Sequence, residues 1–86
     1  MSQFNLSIIV PVYNEADQLE KLIRRLRLLQ DGLLKDIIIV DGGSTDGTPE
    51  KLAEEFMVIS SEKGRANQMN KGAEVAKGKW LMFLHA

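Results

Sequence analysis

Residues 37–48 read IIIVDGGSTDGT. Four consecutive β-branched residues, Ile37 to Val40, carry no polar alternation, which predicts a strand buried on both faces. Asp41 stops the run, and Gly42, Gly43, Ser44, Thr45, Asp46, Gly47 and Thr48 follow as a turn of small residues and carboxylates. A strand covered on both sides belongs to a parallel sheet flanked by helices, and open sheets of that kind take ligands beyond the carboxyl ends of their strands. Asp41 is thereby placed at a ligand edge. Two roles stand open for it. Its carboxylate can accept hydrogen bonds from a base or ribose or help hold a cation, or it can satisfy the orphan N–H groups of its own turn. Asp46, in the small-residue run before the next helix, fits the second role better.

The rest of the chain alternates in the same style. Leu6–Val10 predicts a first strand that ends at Pro11, which has no N–H to offer a ladder. Asn14 reads as a helix N-cap with Asp17 three residues on, and Glu15 and Asp17 sit near the positive end of the helix. Leu19, Leu22, Ile23, Leu26 and Leu29 form a helical stripe toward a core, with Lys21, Arg24, Arg25 and Arg27 on the wet face. Gly32 is the expected C′ residue, and Leu33 and Leu34 pack the connection. A second strand runs over about 36–41. Thr48 then caps a short helix with Pro49 at its first position and an apolar face of Pro49, Leu52, Ala53 and Phe56. Met57 to Ile59 is a short strand near the sheet edge. Arg65 opens a third helix whose packed face carries Ala66, Met69, Ala73 and Ala76, with Asn70 near the buried side. Residues 79–84 form a fourth strand, expected to be covered on both sides. The order βαβαβαβ with right-handed crossovers gives an α/β, three-layer, Rossmann-like parallel sheet.

Composition narrows the function classes. Eighty-six residues allow one small domain, which buries only roughly 60% of its unfolded surface. Eleven basic and twelve acidic residues imply no nucleic-acid surface. There is no cysteine, so disulfides and thiolate metal sites are excluded, and one histidine, His85, makes no zinc site alone. The N-terminal segment lacks the basic region of a signal peptide, and no stretch approaches membrane-spanning length. A cytoplasmic location is expected, with peripheral membrane contact left to a part beyond this sequence. The sequence stops directly after a buried-looking strand, so residues 1–86 are expected to be a truncated portion of a longer domain.

Further candidates lie on the same edge. Tyr13 can stack on a base or pack on its turn. Arg65, at a helix N-terminus, is unfavourable with the dipole unless a phosphate compensates it, and Lys63 carries a weaker form of the same argument. His85 ends the fourth strand at the ligand edge. No G-x-G-x-x-G follows the first strand, no P-loop is present, and no nucleophile elbow supports a Ser-His-Asp arrangement.

The segments LSIIVPVYNEADQL, IIIVDGGSTDGTPE and EKGRANQMNKGAEVAKGKWLMFLHA together resemble the N-terminal half of a family 2 glycosyltransferase of GT-A fold, over nearly the whole of the chain. The resemblance implies a nucleotide-activated sugar donor, usually UDP-linked, and a divalent metal, Mn²⁺ or Mg²⁺, in the full-length parent. It implies nucleotide-side roles for Pro11, Tyr13, Glu15, Asp41, Gly42 and Arg65, with Asn70 and Gly72 matching an Asn-x-Gly helix pattern. Gly42 stands where the family's Asp-Asp-Gly-Ser motif has its second carboxylate. His85 and Ala86 stand where the family begins Asp-x-Asp, in a His-x-Asp form resembling one bacterial subgroup, which makes His85 the metal-side residue. The catalytic base and the acceptor site of such enzymes lie in the C-terminal half, so the 86-residue chain alone is expected to be inactive. A nucleotidylyltransferase of the same fold is the alternative enzyme, opposed by VYNEA where a glycine-rich basic loop would stand. A non-catalytic nucleotide-binding scaffold is the alternative outside enzymes. The apolar last strand also predicts self-association of the chain.

Overall fold

The computed structural model describes residues 6–30 and 35–84. Among them four strands, β1 (Leu6–Val12), β2 (Lys35–Asp41), β3 (Met57–Ser60) and β4 (Trp80–Phe83), form one parallel sheet in the order β3-β2-β1-β4. A 3₁₀ turn over Ala16–Gln18 leads into α1 (Leu19–Gln30), and α2 (Thr48–Leu52) and α3 (Arg65–Val75) make the other crossovers. The expected βαβαβαβ order is present, and β3 is an edge strand. Gly32, Leu33, Leu34, His85 and Ala86 lie outside the described residues.

Strand alternation divides the core into two layers. Ile8, Val10, Val12, Ile37 and Ile39 face α1 and α2, where they meet Leu22, Leu26, Leu52 and Phe56. Ile9, Ile38 and Val40 face the other way, toward Ala73, Val75 and Ala76 at the end of α3. Ile37 to Val40 are all buried, which explains the unbroken apolar run: both faces of β2 are covered. Burying each such side chain stabilises the fold by about 1.5–3 kcal/mol before entropy is charged against it. Leu19, Ile23 and Leu29 complete the α1 stripe.

Four local expectations are corrected. β1 does not end at Pro11 but runs on to Val12, with Pro11 paired to Val40. The carbonyl of Ile9 accepts from Leu84 N–H, so the odd positions of β1 point their backbone groups toward β4, and the N–H that Pro11 lacks would face the β4 side beyond the last paired residue. Proline therefore costs no ladder bond there. The buried face of α3 is Gln68 and Gly72, not Ala66, and Asn70 is exposed. Close approach of the helix dictates this rotation, since a Cβ at Gly72 would fall 2.4 Å from Ile9 Cγ2. Ala53 is exposed because α2 stops at Leu52. Finally, β4 is not covered on both sides among the described residues: Trp80 is 66% exposed and Phe83 43%. It sits outermost, beside β1 alone, and α3 packs over β1 and β2 instead.

The topology fixes where a ligand can enter. From β1 the chain steps outward through β2 to β3, then crosses back to the far side of β1 through α3. The direction of winding reverses between β1 and β4. Crevices at such a reversal are the ligand sites of open parallel sheets.

Candidate functional site

Beyond the point where β1 and β4 part, a hollow of about 140 Å³ is lined by Pro11, Arg65, Met69, Phe83 and Leu84. It lies at the carboxyl edge of the winding reversal. Arg65 is the first residue of α3, whose N-cap, Gly64, has φ 127° and supplies no side-chain cap. The amino end of an eleven-residue helix and an arginine thus share one rim of the hollow.

The neighbouring rim, where β1 and β2 end, is a stitched pair of loops. Asn14 N–H donates to Ser44 Oγ at 2.7 Å, and Thr45 N–H donates to Asn14 Oδ1 at 2.8 Å. Glu15 N–H donates to Thr48 Oγ1 at 2.9 Å, and Ala16 N–H to Asp46 Oδ2 at 2.9 Å. Asn14 adopts φ 49°, a left-handed value that asparagine tolerates better than most residues. It is therefore a loop clamp and not the N-cap expected from the sequence. Thr48 is likewise inside its helix, where Asp46 Oδ1 accepts from its N–H and hydroxyl. The Thr48 hydroxyl, followed by the N–H groups of Ala16 and Thr48, holds the Asp46 carboxyl below its usual range.

Asp41 is only 3% exposed. Its Oδ2 accepts from the N–H groups of Gly43 (2.9 Å) and Ser44 (2.8 Å), and its Oδ1 accepts from Ser44 Oγ. The carboxylate thus organises its own turn, which is the second of the two roles left open by the sequence. Gly42 is buried, and its N–H donates to Val12 O at 3.0 Å, tying the β2 exit to β1. Tyr13 is half-buried, with Lys63 Nζ 4.4 Å from its ring centre. Glu15 is half-buried beside it, its Oε2 3.4 Å from Tyr13 N.

The sequence-derived residues thus form two groups on one edge: Pro11 and Arg65 at the hollow, and Tyr13, Glu15, Asp41 and Gly42 at the β1–β2 loops. His85 lies outside the described residues. Among those described, no three His, Cys, Asp or Glu side chains converge as a metal site. Sequence reasoning missed Gln68, which is 5% exposed and donates from Nε2 to both Val12 O and Val40 O at 2.9 Å. The signal was its spacing of four from Gly72, one helical turn along the packed face.

A parallel sheet with flanking helices and a crevice at the winding reversal defines a Rossmann-like fold consistent with the N-terminal half of a GT-A domain. Residues 7–86 match the model of Glycosyl transferase family 2, and the chain belongs to that family. It is 32% identical over 94% of its length to a dolichol-phosphate mannosyltransferase of Pyrococcus furiosus, covering 25% of that protein, and 31% identical over 92% to glycosyltransferase AglE of Haloferax volcanii, covering 29%. The chain thus spans about a quarter of the length of these curated relatives. Among solved structures, glucosyl-3-phosphoglycerate synthase of Mycobacterium tuberculosis, in complex with Mn²⁺, UDP and glucosyl-3-phosphoglycerate, superposes with a TM-score of 0.81 at 25% identity, over 95% of this chain and 33% of that one. No helix among the described residues is long and apolar enough to cross a membrane.

Proposed function

We propose that this chain is the donor-binding portion of a glycosyltransferase that takes a nucleotide-linked sugar, with UDP as the carrier. The observation that carries the reading is the hollow at the winding reversal, with Arg65 and the open N-terminus of α3 on its rim. Free N–H groups at a helix start and a guanidinium both attract phosphate oxygens. A diphosphate seated there puts the nucleoside toward the β1–β2 loops, where Tyr13 offers an aromatic face. In this reading Pro11 keeps the hollow open and Arg65 binds the diphosphate. Asp41 holds the turn around Gly42, and Glu15 anchors the β1 loop through its N–H to Thr48. The relative solved with UDP and Mn²⁺ supports the choice of nucleotide.

A divalent metal does not fit the described residues. The acceptor oxygens of Asp41 and Asp46 are engaged within the loops, and no cluster of ligands forms around either. The metal enters the proposal only through His85, as the first residue of a His-x-Asp variant, and no step is derived through it. The acceptor and the full transfer reaction belong to the proposal for the parent enzyme. The exposed β4 edge adds a second copy of the chain as a partner.

Calorimetric titration with UDP, ADP and GDP, with and without Mn²⁺, tests the reading. Selective UDP binding is expected. A folded sample that binds none of the three favours the second reading, a non-catalytic scaffold, for which the specific observation is that Asp41 spends its carboxylate inside its own turn.

A further inference from the structure

Position 42 is glycine for a reason that lies on another element. A Cβ built on Gly42 falls 2.9 Å from Gln68 Cδ and 3.1 Å from both Nε2 and Oε1. Equal distances to the two ends of the carboxamide mean that Gly42 faces the flat of the amide. Any side chain at 42 would have to pass through it.

The carboxamide is held firmly. Nε2 donates to Val12 O and Val40 O, the backbone carbonyls of β1 and β2 at the fork of the two strands. Two carbonyl acceptors require nitrogen at that end, so the amide orientation is fixed by chemistry. Among the described residues Oε1 has no hydrogen-bond partner, and no fully buried side-chain oxygen or nitrogen is left unsatisfied, so Oε1 is not sealed off from solvent although Gln68 is 5% exposed.

We propose that Gln68 Oε1 is a specificity-determining acceptor for the nucleobase and receives the ring N3–H of uracil. This rests on the reading of the edge as a uridine-nucleotide site. A fixed acceptor complements a ring N–H and opposes a ring nitrogen lone pair, so uracil is taken and cytosine refused. Because the amide is neutral, it supplies the acceptor without adding negative charge near the diphosphate. Glycine at 42 is the condition for this arrangement: the acceptor comes from α3 because β2 leaves the space empty.

The test measures dissociation constants of UDP, N3-methyl-UDP and CDP for the 86-residue chain, for Gln68→Met and for Gly42→Ala. The wild-type chain is expected to favour UDP over both analogues by about tenfold or more, the factor that the net contribution of one hydrogen bond gives. That preference should fall to about twofold or less in both variants, within the scatter of near-neutral substitutions. Gly42→Ala displaces the carboxamide without altering Gln68, so it decides the matter even if Gln68→Met does not fold. UDP and N3-methyl-UDP binding equally to the wild-type chain overturns the assignment and leaves the donor-site reading standing. A preference that survives in a folded variant overturns it as well. Absence of any UDP binding removes both.

Discussion

The ammonium of Lys63 sits 4.4 Å from the centre of the Tyr13 ring, joining the β3–α3 loop to the end of β1 across the mouth of the site. A cation over one face of the ring attracts it electrostatically, and the proposed function assigns the ring to a base. On the proposed uridine-nucleotide reading, Tyr13→Ala should weaken UDP binding by about 1–3 kcal/mol, the usual contribution of a base stacked on an aromatic residue. Because Tyr13 is only half-buried, the thermal midpoint should move little. Calorimetry and a melting curve on the same sample check both halves.

Gly72 marks the closest approach of α3 to the sheet. Gly72→Ala should destabilise the chain by about 1–3 kcal/mol, as overpacking does, because the new methyl meets Ile9 and Val40. Urea unfolding measures this, and an unchanged midpoint would show that the helix can lift away.

The loop clamp makes a graded prediction. Asn14→Gly loses the Oδ1 bond to Thr45 but keeps the left-handed backbone cheaply. Asn14→Ala loses the same bond and adds a left-handed penalty of about 1–2 kcal/mol. Alanine should be the worse substitution in urea unfolding, reversing the usual order in which glycine costs more.

Acid should loosen the same loops. Hydrogen bonds from Thr48 and Ala16 lower the Asp46 pKa in the folded chain below its unfolded value of about 3.9. A lowered folded pKa stabilises the fold above the unfolded value, and that contribution disappears as pH falls through the folded one. Unfolding midpoints should therefore drop below about pH 4, and Asp46→Asn should flatten that part of the profile while lowering stability at neutral pH.

The outer strand predicts association. Trp80, Leu81, Met82 and Phe83 are all more than a third exposed, along an edge that no other strand among the described residues pairs with. Sedimentation should show concentration-dependent self-association, reduced by Leu81→Lys, since edge lysines block strand-to-strand pairing. A monomer at every concentration would remove the second copy from the list of partners.

The architecture was largely legible because it is written in period: four β-branched residues for β2, and a 3.6-residue stripe for α1. The errors came where a distant element decides the outcome. Asn14 looks like a helix cap when only its own helix is considered, but Ser44 and Thr45 claim it from thirty residues away. On the packed face of α3, Ala73 and Ala76 meet the core as the sequence suggests, but Ala66 is exposed and the buried positions are Gly72 and the polar Gln68, which the sheet selects. β4 has the composition of an interior strand, and no property of the strand itself reveals that the neighbouring helix covers β1 and β2 instead. Asp41 was placed correctly at the edge, but its hydrogen bonds depend on how the turn closes.

Pro11 has a consequence for what can be joined to this sheet. Parallel strands close like a zipper, each added pair needing a donor on one side and an acceptor on the other. At Pro11 the side facing β4 has a missing tooth. Lengthening β4, or laying another segment against β1 in its place, cannot carry the ladder through that residue. The opening beside Arg65 thus has a covalent cause on its β1 side.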